Sequence, residues 1–372
     1  MLSLASKIRF YEKGNPAVID KNYCMSSYLA FRYIEDADKD FAEGIHHKAD
    51  SVFNGGDKIP VRTAEEIATA YRDAFQAKSD VNLGILLSGG MDSACLAAFM
   101  KPGSHAYTFR FLGGTYGNAD MQRAKFYCEK YGLNLHYVDI DWSVVERNLP
   151  VLMRRKGAPV HSIEPQIMEG ALRAKEDGVE MMVAADGSDL VFGGMDKMLS
   201  KDWSFDEWME FYTFLDPAKV LVEPVSMDYV YERYRLPGNK IDYLRFIEEI
   251  FGFESSGSYC NGFICADMKY KPFYDPSGMV VMADPLDLER VRRGESKYLI
   301  RELFRMCYPE IPIPEKIPMP RPVDAYFAGW EGPKRPEFKP CLNMKEFTGN
   351  QKWQLWCLER FLNMVDAGEI VQ

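Results

Sequence analysis

Between residues 83 and 185 the chain alternates short apolar runs with longer stretches of helical spacing. Four runs have strand length and predict buried strands: Leu83 to Leu87, Ala106 to Phe111, Leu135 to Ile140 and Met181 to Ala185. The stretches between them predict helices over Asp120 to Tyr131 and Ile163 to Glu176. A further helix follows Ser93 and carries Ala94, Leu96, Ala97, Ala98 and Phe99. Upstream, Thr63 to Ala77 predicts a helix, because Thr63 and Glu66 have the spacing of a capping box. Strands separated by helices imply parallel βαβ units, hence an α/β fold built on a parallel sheet with flanking helices.

The pattern changes after about Ser200. Phe205–Leu215 and Asp242–Phe251 are aromatic-rich and helical, and a basic helix is expected over roughly Asp287–Cys307. A proline-rich segment, Pro309–Pro322, precedes a last helix over Lys345–Asp366. The expected organisation is an α/β core over about 81–200 and a mostly helical part over about 201–372. Before them comes a segment, 1–80, with a turn-rich patch at Asn54-Gly55-Gly56-Asp57.

Composition narrows the classes. The chain is 47% hydrophobic and 27% charged, an ordinary globular balance that argues against disorder. Its formal net charge of −10 repels phosphate backbones and makes nucleic acid a poor default partner. Lys7 and Arg9 come too early for a signal-peptide core, and no apolar run approaches the roughly 18–20 residues of a membrane span, so a cytoplasmic protein is expected. The eight cysteines are scattered, with no CxxC pair. Cys260 and Cys265 offer half a metal site at most, and buried free thiols are the preferred reading.

Two motifs carry chemistry. Leu87-Ser88-Gly89-Gly90-Met91-Asp92-Ser93 lies between a predicted strand and a predicted helix. Its glycines allow a tight turn that brings N–H groups to a ligand, its serines add hydroxyls, and the helix start favours an anion. Asp92 suits a phosphate cradle only with a cation between them, a typical Mg²⁺ environment. The second motif, Ala184-Ala185-Asp186-Gly187-Ser188-Asp189, directly follows a predicted strand. Ligands of open α/β sheets bind beyond the carboxyl ends of strands, so the two loops are expected to share a crevice. One of the two carboxylates could complete a Mg²⁺ site, and the other could handle a proton.

Leu-Ser-Gly-Gly-x-Asp-Ser resembles the pyrophosphate loop of N-type ATP pyrophosphatases. Paired with Gly-Ser-Asp-x-Val-Phe-Gly-Gly, it is similar to the synthetase domain of asparagine synthetases and β-lactam synthetases. Thr108-Phe109-Arg110-Phe111, Asp120, Lys271-Pro272-Phe273-Tyr274-Asp275 and Ser296-Lys297-Tyr298-Leu299-Ile300-Arg301-Glu302 extend the resemblance, which runs from about Tyr28 to Tyr326. It implies an adenine nucleotide α-hydrolase-like fold and ATP and Mg²⁺ as cofactors. Ser88, Gly89, Gly90 and Ser93 would hold the β- and γ-phosphates, and Asp92 and Asp189 would bind Mg²⁺. Leu87, Phe111, Ala184 and Ala185 would line the AMP pocket, and Lys316 would face charge growing on the α-phosphate.

The implied reaction joins a small-molecule carboxylate to ammonia or an amine through an acyl-adenylate. The departures concern the nitrogen side. Leu2 follows Met1 where glutamine-hydrolysing members place a nucleophilic Cys, and no glutaminase domain precedes the synthetase motifs. Residues 1–80 are then expected to be the linker left from such a domain, glutamine hydrolysis is not expected, and ammonia could come from a separate glutaminase subunit. Asp186 stands where the family has a longer acid, and Leu190 where it has a second one. The acyl substrate and nitrogen donor stay open, and a homodimer is compatible with the sequence. Two other classes use or retain such a loop: tRNA- or base-modifying enzymes, and nucleotide-binding proteins without catalysis.

Overall fold

The computed structural model describes residues 18–48, 58–113, 118–272, 280–315 and 319–370. The Asn54–Asp57 patch and Lys316 lie outside these residues.

Seven of the strands among the described residues matter here: β1 (Lys58–Val61), β2 (Leu83–Leu86), β3 (His105–Phe111), β4 (Asn134–Ile140), β5 (Met181–Ala184), β6 (Lys269–Pro272) and β7 (Val280–Ala283). Five form one sheet in the order β6-β5-β2-β3-β4, and every pairing in it is parallel. The four predicted strands are all present. Central β2 is buried along its whole length, which is why it reads as an unbroken apolar run. The edge strand β6 comes from the later half of the chain, which was expected to be mostly helical and in which no strand was predicted. Its sequence, Lys-Tyr-Lys-Pro, lacks an apolar run, and an edge position tolerates both polar residues and proline. A separate parallel pair joins β1 to β7.

Twelve helices matter here: α1 (Lys21–Phe31), α2 (Ala64–Gln76), α3 (Met91–Ala97), α4 (Asn118–Tyr131), α5 (Trp142–Lys156), α6 (Glu164–Glu176), α7 (Ser188–Val191), α8 (Phe205–Tyr212), α9 (Gly252–Cys265), α10 (Leu288–Arg292), α11 (Tyr298–Cys307) and α12 (Gly349–Asp366). The capping box predicted for α2 is present. The Glu66 N–H donates to Thr63 Oγ1 at 3.2 Å, and the Thr63 N–H donates to Glu66 Oε2 at 3.3 Å. Helix α5 went unpredicted because Pro150 sits inside it. Asp141 caps its start, Gly157 closes it in the left-handed conformation, and Arg154, Arg155 and Lys156 complement the dipole of its last turn.

Two expectations change. The helix expected over Asp242–Phe251 is the opening of a longer one, which runs through a wide π-type turn at Ile247–Phe251 into α9. The single basic helix expected over Asp287–Cys307 is two helices, α10 and α11. Gly294, at φ +91°, breaks it, and Lys297 enters α11 in the left-handed conformation.

The apolar core is continuous from α1 to α12. Tyr28 of α1 donates its hydroxyl to the Val160 carbonyl, and Gln354 of α12 donates to the Tyr28 carbonyl. One buried polar knot joins α5, α6 and α9. The Glu164 carboxylate accepts from Lys156 Nζ (2.8 Å), the His161 N–H (2.8 Å) and Asn261 Nδ2 (2.6 Å). Every described cysteine is a free thiol, Cys260 and Cys265 included. Among the described residues, no helix is long and apolar enough to cross a membrane.

Candidate active site

The loop from β2 to α3 is held by its own hydroxyls. Ser88 Oγ and Ser93 Oγ are 2.9 Å apart, the Gly90 N–H donates to Ser88 Oγ at 3.1 Å, and the Ser88 N–H donates to Ser93 Oγ at 3.1 Å. Gly89 is required by space. A Cβ there would stand 2.3 Å from Asp120 Cα and 2.7 Å from the Asp120 carbonyl oxygen, so any side chain would push the start of α4 away. The Gly89 carbonyl in turn accepts from Arg123 Nε at 2.8 Å and from the Tyr127 hydroxyl at 3.3 Å, fixing the loop on α4. Thr108 on β3 donates to the Leu87 carbonyl at 2.6 Å. Gly90 begins α3 without a side-chain cap, so no side chain occupies the first N–H groups of that helix.

The second loop meets the first. Gly187, at φ +77°, turns the chain from β5 into α7. The Ser188 hydroxyl donates to Asp92 Oδ1 at 2.7 Å. A residue that the sequence reading gave no role, Lys297, completes the junction. Its Nζ lies 2.7 Å from Asp92 Oδ2 and 2.7 Å from Asp189 Oδ1. Burial works against the Lys297 ammonium, but the two carboxylates outweigh it and hold its pKa above the usual lysine value. Gly194 leaves room for this contact. A Cβ there would fall 2.1 Å from both Asp189 Oδ1 and Lys297 Cε.

Asp92 and Asp189, 97 positions apart in sequence, therefore converge on one cationic group. Two carboxylates against one ammonium leave a net negative centre beside the phosphate-type loop, and oxygen donors of this kind suit Mg²⁺. The residues present fit the ion expected there.

A cavity of about 230 Å³ opens at the carboxyl ends of β2, β3 and β5. Ser88, Gly90, Asp92, Ser93 and Asp189 line one side of it. Leu87, Phe111, Ala184 and Ala185 line the apolar side, with Tyr259 of α9 and Arg301 of α11. Gly89 lies behind the wall, against α4. Lys316 is outside the described residues, although Glu315 and Met319 on either side of it line the cavity. Two other cavities, about 10 and 20 Å³, have room for a water and not for a nucleotide.

Asp186 is placed differently from Asp189. It is buried and does not line the cavity, and neither carboxylate oxygen makes a hydrogen bond of normal geometry. Burial pushes its pKa up to about 7, against a weaker opposing pull from the neighbouring Tyr270 hydroxyl. Tyr259 bridges the two regions, since it lines the cavity and feels the charges of Asp186, Arg321 and Asp189.

The functional residues not foreseen are Lys297, Arg123 and Tyr259. Lys297 did fall within the Ser296–Glu302 motif. Only the break at Gly294 turns it from a helix-surface lysine into a buried link between two loops.

A parallel sheet with flanking helices and a Ser-Gly-Gly-x-Asp-Ser loop at its carboxyl edge define an ATP-using enzyme of the ATP-pyrophosphatase class. Residues 66–245 match the family model described as asparagine synthase. A 90-residue stretch is 33% identical to 7-cyano-7-deazaguanine synthase 2 of Rhodopseudomonas palustris (strain HaA2), over 23% of this chain and 41% of that protein, less than half of the relative's length. Among solved structures, the NH3-dependent NAD synthetase of Campylobacter jejuni is similar at 15% identity and a TM-score of 0.25, over 36% of this chain and 61% of that one. The NMN synthetase of Francisella tularensis is similar at 11% identity and a TM-score of 0.28, over 69% of this chain and 100% of that one.

Proposed function

We propose that this chain is an ATP-dependent amide-forming ligase. A carboxylate oxygen of a small substrate attacks the α-phosphorus of ATP, and pyrophosphate leaves. A nitrogen nucleophile then attacks the acyl carbon, AMP leaves, and the nitrogen gives up a proton. The single observation that carries the reading is the convergence of Asp92, Asp189 and Lys297 beside the Ser88–Ser93 loop.

Each residue has a part in this scheme. Ser88, Gly90 and Ser93 bind the leaving pyrophosphate through hydroxyls and N–H groups, and Gly89, packed against α4, sets the turn that presents them. Asp92 and Asp189 would hold Mg²⁺, which when bound neutralises charge on the phosphate oxygens. Lys297 keeps the two carboxylates together and then faces the charge developing on pyrophosphate. Leu87, Phe111, Ala184 and Ala185 form the apolar wall for the adenosine. Lys316 is assigned to the α-phosphate on the strength of the family resemblance alone. Asp186 is sealed beneath the cavity wall, so it is assigned to the nitrogen half-reaction on the family resemblance and would act through Tyr259, which lines the cavity and feels its charge.

Trapping with hydroxylamine tests the reading. The protein is incubated with MgATP, hydroxylamine and a panel of amino acids and small organic acids. Hydroxamate formed together with stoichiometric pyrophosphate supports acyl-adenylate chemistry, and pyrophosphate release without hydroxamate from any acid counts against it. A second reading, a base-modifying enzyme using the same loop, draws on the 90-residue match to the 7-cyano-7-deazaguanine synthase. It requires ATP cleavage that responds to a deazapurine or an RNA and not to small acids.

A further inference from the structure

At the amino ends of the sheet strands, away from the cavity, His105, His136 and Asp177 come together, and one ligand atom from each lies within 4.8 Å of the others. The sheet register explains the meeting. His105 pairs with Asn134 and Tyr107 with His136, so His105, Tyr107 and His136 share one face of neighbouring strands β3 and β4. Asp177, the residue that ends α6, is laid over that face, where its Oδ2 accepts from the Tyr107 hydroxyl at 3.1 Å.

The two imidazoles meet edge to edge. His105 Nδ1 and His136 Nε2 are 2.9 Å apart, with ring centroids 5.0 Å apart and planes within 21°. These values put the contact close to the ring planes, where the nitrogen lone pairs point. The other nitrogen of His136, Nδ1, lies 3.4 Å from Asp177 Oδ2. A carboxylate at that edge favours the proton on Nδ1 and leaves Nε2 as a lone pair aimed at His105. Arg173 holds Asp177 in place through Nε and Nη2, at 3.0 and 3.1 Å. Asp177 therefore serves as an orienting partner of His136 more naturally than as a ligand, the usual carboxylate–histidine–metal arrangement.

We propose that His105 Nδ1 and His136 Nε2 form a binding site for a divalent transition-metal ion that prefers imidazole nitrogen, of the Zn²⁺ kind. Bonds of about 2.0–2.1 Å at a tetrahedral centre need the two nitrogens roughly 3.3 Å apart, a few tenths of an ångström beyond their present separation, and the two rings must turn so that lone pairs now facing each other converge on the ion. The proton between the rings moves to His105 Nε2, a tautomer change that frees both facing nitrogens for the ion. Both rings are partly exposed, so water completes the coordination. The ion would link β3, β4 and the end of α6, and it is chemically distinct from the all-oxygen pair Asp92 and Asp189 on the opposite edge.

The test is a Co²⁺ titration followed by visible absorption, repeated with Zn²⁺ in a calorimeter, on the full chain with Mg²⁺ in excess. One equivalent should bind to the wild type, be lost in His105→Asn and His136→Gln, and bind 10–100-fold more weakly in Asp177→Asn. Equal uptake by wild type and both histidine variants, or no uptake by the wild type, overturns the proposal. X-ray absorption of the Zn²⁺-loaded wild type decides the matter even if a variant fails to fold. Two imidazole nitrogens with oxygen support the site, and a sulfur shell from cysteine overturns it.

Discussion

Lys297 Nζ lies 2.7 Å from Asp92 Oδ2, which ties the start of α11 to the start of α3 across 205 positions of sequence. The same nitrogen reaches Asp189, so removing it leaves two carboxylates facing each other at the rim of the cavity. Lys297→Met should lower the melting temperature in metal-free buffer and reduce pyrophosphate release by about 10²–10³. Added Mg²⁺ should stabilise this variant more than it stabilises the wild type, because the ion then has the two carboxylates to itself. Thermal melting with and without Mg²⁺ measures this, and equal Mg²⁺ shifts in the two proteins count against a shared position.

Gly89 is predicted to tolerate no side chain. The Cβ of Gly89→Ala meets backbone atoms of Asp120, which cannot rotate aside. The loop must move off α4, breaking the hydrogen bonds from Arg123 and Tyr127. ATP affinity should fall at least about tenfold, roughly 1.4 kcal/mol, with little change in overall fold. Equilibrium binding of ATP and circular dichroism check the two halves of this statement.

Asp186 sets a pH dependence. Its folded-state pKa of about 7 is raised above the ordinary 3.8. The neutral carboxyl is the form that folding favours, so its contribution to stability is complete below about pH 4. That contribution declines as pH rises toward 7, by about 4 kcal/mol in all. Asp186→Asn, neutral at every pH, should flatten this part of the profile and be the more stable protein above pH 7. Denaturant unfolding between pH 4 and 8 measures the difference.

Glu164 is fully buried and satisfies three donors, of which Lys156 is charged. Glu164→Ala strands that ammonium in the interior, and a loss of about 3–5 kcal/mol is expected. Urea unfolding monitored by tryptophan fluorescence provides the measurement.

How much of this was legible depended on whether a feature is local. Strands β2 and β5 read clearly because both faces are buried, and α2 announced itself through Thr63 and Glu66. Strand β6 did not, since an edge strand of Lys-Tyr-Lys-Pro carries no apolar signature. Helix α5 was hidden by Pro150, and the break between α10 and α11 by a single glycine, Gly294, in a basic, otherwise helical pattern. At the site, Ser88–Ser93 and Asp189 stood out because their chemistry lies in contiguous motifs. The role of Lys297 did not, because it exists only where three distant segments meet. Asp186 and Asp189 were told apart only by the family resemblance, and their difference in burial was not legible. They differ by three positions, yet one is sealed beneath the cavity and the other lines it.

The central claim is that a carboxylate is adenylated at the loop that holds Asp92. Exchange of labelled pyrophosphate into ATP, measured with and without each acid of a carboxylate panel, tests it most directly. The account predicts exchange that depends on a particular carboxylate, persists in Asp186→Ala while amide product is lost, and disappears in Asp92→Asn. Exchange that no carboxylate stimulates, or full exchange in Asp92→Asn, would contradict it.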